Sequence, residues 1–234
     1  MSYDKRKSGR DFDEPRQMDA KAGVVKRAVG SAWFKIGKTE AIAAVYGPRE
    51  LFPRFLKNPE KGVLRVNYSM MPFSSGSDRV RPGPNRRSKE ISSIATKALQ
   101  PVVDLSDCPN SVVDVFIEMK QADGGTRCAG ICAASIALAD AGIPMRDMVG
   151  AIAVGRCQDK IIMDLDYYED SHEDGTDIPV AMLHNSKEIS LLQLDGNISV
   201  EQFQEAIKMA QGTMDKIFEV QKAALKGKFK PVKE

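Results

Sequence analysis

The feature that most constrains the fold is a glycine pair between two apolar segments, in the sequence DGGTR at residues 123–127. The segment before it, SVVDVFIEM at 111–119, is rich in β-branched residues and predicts a strand. The segment after it carries apolar residues at helical spacing from Ile131 to Ala141 and ends at Gly142, which predicts a helix. DGGTR is therefore predicted to be a strand-to-helix turn.

A turn of this kind provides a site for an anion. Backbone N–H groups are unpaired at a helix N-terminus, and glycines let a ligand approach the backbone closely. Arg127 adds a planar, permanently charged guanidinium group that is suited to phosphate. Taken alone, the segment is equally compatible with an ordinary surface turn, and it is not a Walker motif because no Gly-Lys-Ser/Thr follows.

Composition narrows the class of protein. A chain of 234 residues with 42% apolar content can bury a substantial core. The four cysteines form no C-x-x-C pair and the only histidines are His172 and His184, so a structural zinc site is poorly supported. Cys128 and Cys132 are predicted to be small buried residues of the helix. The charged start and the lack of a run of eighteen apolar residues lead us to expect a soluble, cytoplasmic protein with no membrane partner.

The remaining segments predict elements of both classes. The alternating sequence VLRVNYSM at 63–70 predicts a half-buried strand, and RRSKEISSIATKAL at 86–99 predicts a helix that stops at Pro101. In the second half of the chain, four short apolar runs predict four tightly connected strands, VGAIAVG, DKIIMDLD, IPVAML and EISLLQLDG. Ser199 and Gln202 form a capping-box pattern for a final helix. This mixture predicts an α+β protein.

Both ends of the chain are polar. Residues 1–16 are rich in charge and predict a flexible N-terminal arm, and residues 227–234 predict a basic, frayed tail. The segment between them, 17–226, is predicted to form a single domain.

Charge is unevenly distributed although the net charge is only +2. Residues 49–90 contain ten Lys or Arg against four acids, and residues 164–177 contain seven acids and no Lys or Arg. Phosphoryl transfer on a polyanion would use both segments, because cations neutralise phosphate oxygens while carboxylates bind Mg²⁺ or transfer a proton. By itself an acidic run is more typical of a solvated loop. Asp177 is the exception, because it directly precedes the strand IPVAML, which can hold its side chain rigidly.

Taken together, these motifs resemble those of the RNase PH family. The matching segments are DGGTR opening a helix, RR at the start of an earlier helix, GPRE at 47–50, and LDLDYYED followed by an aspartate ahead of an apolar strand. They occur in the family's order and cover the chain from about Val24 to Lys226. Within the family, GVLRVNYSMMPFS, LLQLDG and Pro179 are most similar to the catalytic ring subunits of the archaeal exosome.

The resemblance implies a fold, a reaction and partners. The fold would be RNase PH-like, with two βαβα halves similar to the second domain of ribosomal protein S5. The reaction would be 3′-to-5′ degradation of single-stranded RNA, in which inorganic phosphate is the co-substrate and nucleoside diphosphates are released. Running in reverse, it would add RNA tails. The implied partners are a homologous non-catalytic subunit in a hexameric ring and RNA-binding cap subunits, and the implied cofactor is Mg²⁺.

The resemblance also assigns binding residues. Gly125, Thr126 and Arg127 correspond to the inorganic-phosphate site of the family. The arginines that grip phosphate and the RNA backbone correspond to Arg86, Arg87 and, less specifically, Arg54 in FPRFL.

The catalytic carboxylates are assigned in the same way. Asp177 corresponds to the catalytic aspartate and Asp170 to the second carboxylate, and the two together to the metal ligands. The spacing between them is one residue longer than is usual in the family. Asp174 or Glu173 is therefore an alternative for the second carboxylate.

Two other functions are compatible with the family. One is a homohexameric RNase PH that trims tRNA 3′ ends, against which Pro179 and LLQLDG argue. The other is a non-catalytic structural ring subunit, which would be expected to lack the arginines or the aspartate, whereas this chain has all of them.

Overall fold

The computed structural model describes residues 5–76, 79–172 and 174–229, which form two β-sheets with four α-helices. The strands of the first sheet are, in chain order, Met18–Ala22 (β1), Gly30–Ile36 (β2), Thr39–Glu50 (β3), Val63–Met70 (β4) and Ser111–Gln121 (β5). Those of the second sheet are Val149–Cys157 (β6), Lys160–Met163 (β7), Thr176–Leu183 (β8) and Ile189–Leu192 (β9). The helices are Arg86–Leu99 (α1), Thr126–Asp140 (α2), Tyr167–Asp170 (α3) and Val200–Lys228 (α4).

The two sheets differ in strand direction. The first has the spatial order β1-β2-β3-β5-β4, and its β4 and β5 are parallel because α1 carries the chain across between them. This half therefore ends in the order β4-α1-β5-α2. The second sheet has the order β7-β6-β8-β9 and is antiparallel throughout. Its element order is β6-β7-α3-β8-β9-α4, so a pair of strands precedes each helix instead of the single strand of the expected βαβα order, and α3 is a single turn of 4 residues.

Helix α2 lies between the two sheets. It contacts β2, β3 and β5 on one side and β6 and β8 on the other, and 12 of its 15 residues are buried. Its many alanines let both sheets approach closely, which explains why a helix expected to show one apolar stripe is buried almost all round. One hydrophobic core includes residues of both sheets, so the two halves of the segment predicted as a single domain share one core.

The ends of the predicted elements are set by local hydrogen bonds. Helix α1 begins at Arg86, and the Asn85 side chain just before it accepts from the N–H of Ser88. Strand β4 covers residues 63–70, as predicted. The capping box of Ser199 and Gln202 at the start of α4 is confirmed. Short polar side chains at these positions satisfy N–H groups that a helix N-terminus leaves free.

The N-terminal segment is packed against the protein in its described part, residues 5–16. Arg6 is 2% exposed and forms an ion pair with Glu169, and Arg16 forms one with Asp164. The carbonyl of Phe12 accepts from the N–H of Met163 at 2.7 Å. This packing departs from the flexible arm that the composition predicts, because the acids that bind these arginines lie about 150 residues away in the sequence.

Three further expectations concern the burial of two cysteines, membrane-spanning helices and the C-terminal tail. Cys128 and Cys132 are buried, as predicted for small residues of the helix. Within the described residues, no helix combines the length and the apolar character needed to cross a membrane. The basic tail predicted at 227–234 lies mostly outside the described residues, and α4 extends to Lys228.

Candidate active site

A cavity of about 690 Å³ opens where the N-terminus of α2 meets the second sheet. The first half of the chain contributes the turn at 123–127 and Arg87 at the start of α1. The second half contributes Asp170 at the end of α3 and Asp177 near the start of β8. Neither half encloses the cavity alone, since each supplies one wall.

The turn before α2 has the conformation that its glycines predict. Gly124 and Gly125 have φ of +74° and +64°, in the left-handed region that favours glycine. A Cβ on Gly124 would lie 2.5 Å from the carbonyl oxygen of Leu165, so a side chain does not fit there. Helix α2 begins at Thr126, and the N–H groups of its first turn therefore lie at the cavity without intrahelical partners. This is the arrangement that binds anions at helix N-termini.

Two guanidinium groups face the same cavity. Arg127 lies 3.9 Å from a carboxylate oxygen of Asp177 and makes a 3.5 Å hydrogen bond to the Gln193 side chain. Its Nε is buried without a hydrogen-bond partner in the described part of the chain. Arg87 donates to the Thr126 hydroxyl at 3.3 Å. Because these contacts are long or incomplete, both arginines retain donors for a phosphate group.

The carboxyl groups of the cavity have raised pKa values. Burial, followed by the negative charge of Asp170, raises the pKa of Asp177 to about 7, although Arg127 and Arg87 lower it. Partial burial in the cavity also raises the pKa of Asp170, against the effect of the same two arginines. A carboxyl group with a pKa near neutrality can both give and take a proton under physiological conditions.

The structure adds polar residues at or beside the cavity that the sequence did not predict, among them Asp195, Tyr167 and Gln193. Asp195 follows β9 and is joined to Asp177 by two backbone hydrogen bonds of 2.9 Å, which brings a third carboxylate to the site. Gln193 accepts from Arg127, and Tyr167 lines the cavity while 56% exposed. The only sequence signal for Asp195 is an acid directly after a predicted strand, in LLQLDG.

Some predicted site residues lie away from the cavity. Arg86 is exposed and does not line it, because neighbouring residues on a helix point about 100° apart and Arg87 takes the inward position. Arg54 is exposed in a 3-10 turn at Arg54–Leu56, outside the cavity. Asp174 is exposed and its N–H contacts the His172 ring instead. The alternative at position 173 falls outside the described residues, so among the described candidates Asp170 is the one beside Asp177.

The predicted basic segment is partly neutralised. Arg49 and Arg65 both form ion pairs with Asp114, which is fully buried, and Lys57 pairs with Glu50. These three cations are therefore already engaged in contacts within the protein.

The cavity fits Mg²⁺ only in part. Asp170, Asp177 and Asp195 offer the carboxylate oxygens that this ion prefers. Among the described residues, however, no group of three or more His, Cys, Asp or Glu side chains is placed to hold a metal ion by itself. Mg²⁺ usually binds through one or two carboxylates together with water and substrate phosphates. The residues present thus suit an ion held by Asp170 and Asp177 jointly with a phosphate-bearing substrate.

Comparison with known proteins identifies the family. Residues 14–144 match the 3′ exoribonuclease family RNase PH, domain 1, and residues 147–213 match domain 2. The chain belongs to the RNase PH family. The boundary between the two RNase PH domains falls between α2 and β6, so each matched domain holds one sheet.

Individual RNase PH relatives cover nearly the whole chain. The exosome complex component Rrp41 of Methanopyrus kandleri is 47% identical over 224 residues, which are 96% of this chain and 93% of that protein. The Rrp41 of Pyrococcus furiosus is 48% identical over 225 residues, covering 96% of this chain and 89% of its own length.

Solved structures share the fold. Rice Rrp46 superposes with a TM-score of 0.84 at 25% identity, covering 94% of this chain and 100% of its own. The Archaeoglobus fulgidus exosome with RNA bound to the active site gives 0.81 at 25% identity, covering 92% of each chain. The predicted RNase PH-like α+β fold is confirmed.

Proposed function

We propose that this chain is a catalytic subunit of an exosome ring that degrades single-stranded RNA from its 3′ end by phosphorolysis and adds RNA tails in reverse. The observation that carries the proposal is one cavity that holds an anion-binding helix N-terminus, two arginines and an aspartate with a pKa of about 7. The relatives named as exosome components, and the related exosome with RNA at its active site, support the substrate.

In this proposal, the residues of α2 and α1 bind inorganic phosphate beside the terminal phosphodiester. The N–H groups at Gly125 to Arg127 and the guanidinium groups of Arg127 and Arg87 would neutralise it and orient one of its oxygens towards phosphorus. A new P–O bond forms to that oxygen while the bond from phosphorus to the 3′ oxygen breaks. A nucleoside diphosphate is then released.

Asp177 has the position and the pKa to handle the proton of this reaction. Its protonated carboxyl group would donate to the departing 3′ oxygen, which leaves the shortened RNA with a 3′ hydroxyl group. In the reverse direction the carboxylate takes that proton back. Mg²⁺ bound with Asp170 would neutralise phosphate charge.

The experiment is phosphorolysis of a 3′-labelled RNA by the chain assembled with a homologous ring subunit. Arg127→Ala should lower kcat/KM for inorganic phosphate by about 10²-fold or more, because it removes a buried charge-assisted contact, while RNA affinity changes less. Arg146→Ala is the matched control, since Arg146 is exposed and outside the cavity.

Asp177→Asn separates catalysis from binding in the same assay. It should abolish both nucleoside diphosphate release and reverse tailing while ring assembly and RNA affinity stay near wild type, because both directions pass through one transition state. RNA degradation that needs no phosphate, or an Asp177→Asn protein that still adds tails, would be evidence against the proposal.

A further inference from the structure

The N-terminal segment contacts residues that line the cavity, through the side chain of Arg16. Its guanidinium group forms a two-point ion pair with Asp164, Nε to Oδ2 at 2.8 Å and Nη2 to Oδ1 at 2.6 Å. The same group donates to the carbonyl of Asp123 and, at 3.5 Å, to that of Gly124. One side chain therefore connects the phosphate-binding turn to the start of the loop that carries Asp170.

Arg6 makes a similar set of contacts one step further along this loop. It binds both carboxylate oxygens of Glu169, at 2.8 Å and 2.7 Å, and the carbonyls of Met163 and Asp164, at 2.9 Å and 3.0 Å. Glu169 also closes the capping box at the start of α3 by accepting from the N–H of Asp166. Since Asp170 is the next residue, Arg6 anchors the helical turn that presents this carboxylate to the cavity.

Asp164 is the point where the two arginines meet. It has φ of +53°, a left-handed conformation that is unfavourable for a residue with a side chain, by about 1–3 kcal/mol. Its carboxylate is held by Arg16, and its carbonyl accepts from Arg6 at 3.0 Å and from Arg10 at 3.3 Å and 3.4 Å. Such a conformation persists only where the surroundings impose it. The arginines therefore determine the path of the loop between β7 and α3.

The turn on the other side of Arg16 is equally constrained. The Thr39 hydroxyl donates to the Gly124 carbonyl at 2.7 Å and accepts from the N–H of Asp123 at 2.9 Å. The Gly124 backbone touches that of Leu165 and Asp166 so closely that no Cβ fits. A displacement of either the turn or the loop would thus be transmitted to the other.

We propose that Arg16 and Arg6 are positioning residues, which hold the phosphate-binding turn and Asp170 at a fixed separation across the cavity. This role rests on the proposed phosphorolytic function. Arg16 acts through the N–H groups at the start of α2, and Arg6 acts through α3. Buried ion pairs often contribute little net stability, and in some proteins they specify one arrangement of the chain, which is the effect that this proposal requires.

The two arginines predict different kinetic effects. Arg16→Lys keeps the charge but loses the planar fork that reaches two segments at once, so the KM for phosphate should rise about tenfold or more while kcat changes less. Arg6→Lys should lower kcat more than it raises the KM for phosphate, because it loosens the turn that carries Asp170. Both variants would be measured in the assembled ring.

The control removes an ion pair to another buried carboxylate, away from the cavity. Lys228 binds Asp140 at 2.6 Å, and this carboxylate is also buried, at the opposite end of α2. Lys228→Met should leave both kinetic constants unchanged. If the role of the arginines were purely structural, Arg16→Lys and Arg6→Lys would lower the Tm, and both kinetic constants would stay at wild-type values at temperatures below the Tm.

Hydrogen exchange provides a second measurement that does not depend on activity. In Arg16→Lys, amides of residues 123–127 and of 164–170 should both exchange faster, while Lys228→Met leaves these two segments at wild-type rates. Unchanged exchange in either segment, or faster exchange with a wild-type KM for phosphate, would overturn the positioning role. If the wild-type ring degrades RNA without phosphate, the proposed function fails, and exchange still decides whether the segments are coupled. If Arg16→Lys does not fold, Arg6→Lys tests the α3 side alone: amides of 164–170 should exchange faster and kcat should fall, and wild-type values of both would overturn the role.

Discussion

Asp177 is a residue whose chemistry follows from its surroundings. Burial and the nearby charge of Asp170 disfavour its ionised form, so its pKa is about 7 rather than about 4. The folded protein thus binds a proton that the unfolded chain has lost between these two values. By linkage, this carboxyl group makes the fold less stable as the pH rises from about 4 to about 7, which is the opposite of the effect of a salt-bridged aspartate. Its placement therefore does not stabilise the fold at neutral pH, whereas it suits the proton transfer that we propose.

The titration of Asp177 can be measured by ¹³C NMR of its carboxyl group in metal-free buffer. We expect a midpoint near pH 7, a lower midpoint in Asp170→Asn, which removes the like charge, and a higher one in Arg127→Ala, which removes the opposite charge. Arg146→Ala should leave the midpoint unchanged. A midpoint near pH 4 in the wild type would contradict the role of Asp177 as a proton donor at neutral pH.

At the scale of elements, the turn before α2 depends on the absence of a side chain. Gly124 combines a positive φ with a carbonyl oxygen 2.5 Å from the place of a Cβ. Gly142 has nearly the same φ, +70°, but nothing lies within 4 Å of its Cβ position. A side chain at either glycine would therefore be in an unfavourable left-handed conformation, but only at Gly124 would it also clash with a neighbouring backbone.

This pair allows a matched test. Gly142→Ala should reduce the free energy of unfolding by ~1 kcal/mol, since only the backbone conformation is unfavourable. Gly124→Ala should reduce it by several kcal/mol more and should also weaken phosphate binding, because the loop at Leu165 must move. Denaturant unfolding and the KM for phosphate measure the two effects. Equal losses in both variants would show that the turn tolerates a side chain.

At the scale of the whole molecule, the exposed apolar surface indicates association. The edge strand β9 and the residue segment after it expose Ile189, Leu192 and Leu194, and the loop after β3 exposes Phe52 and Phe55. An apolar edge strand and exposed aromatic side chains are typical of surfaces that bind another chain. A single chain also cannot enclose a path for single-stranded RNA, which is gripped through successive phosphates.

We therefore predict that the chain alone has little activity and reaches full activity when mixed with a homologous ring subunit. Size-exclusion chromatography with light scattering, followed by an assay of each fraction, tests this directly. Activity should elute with the hexameric species. A monomer that is as active as the assembly would contradict both the RNA path and the exosome proposal.

Much of the fold was predictable because its signals are local. The alternation in VLRVNYSM and the helical spacing after Arg86 depend on neighbouring residues, and β4 and α1 have the predicted bounds. The capping box at Ser199 is likewise a contact between residues three apart. The RNase PH resemblance rested on such short motifs in a fixed order.

The features that the sequence did not predict depend on contacts between distant residues. The N-terminal segment was expected to be flexible because its composition is polar, whereas Arg6 and Arg16 find buried partners more than 140 residues away. Arg86 and Arg87 are equivalent in the sequence, but the direction of α1 turns only Arg87 towards the cavity. Asp195 lies in no distinctive motif. It lies beside Asp177 because the two residues form an antiparallel β-bridge between β8 and the segment after the neighbouring strand β9.

Residue order and spacing alone determined elements such as β4, β5, α1 and α2, where the glycine turn lies and which family the motifs resemble, because these depend on backbone preferences over a few residues. The tertiary structure decided which carboxylate stands beside Asp177, why its pKa is near 7, and how the N-terminal arginines join the two walls of the site. Burial and electrostatic interactions act through space between chain segments, so they exist only once the two sheets have closed around α2.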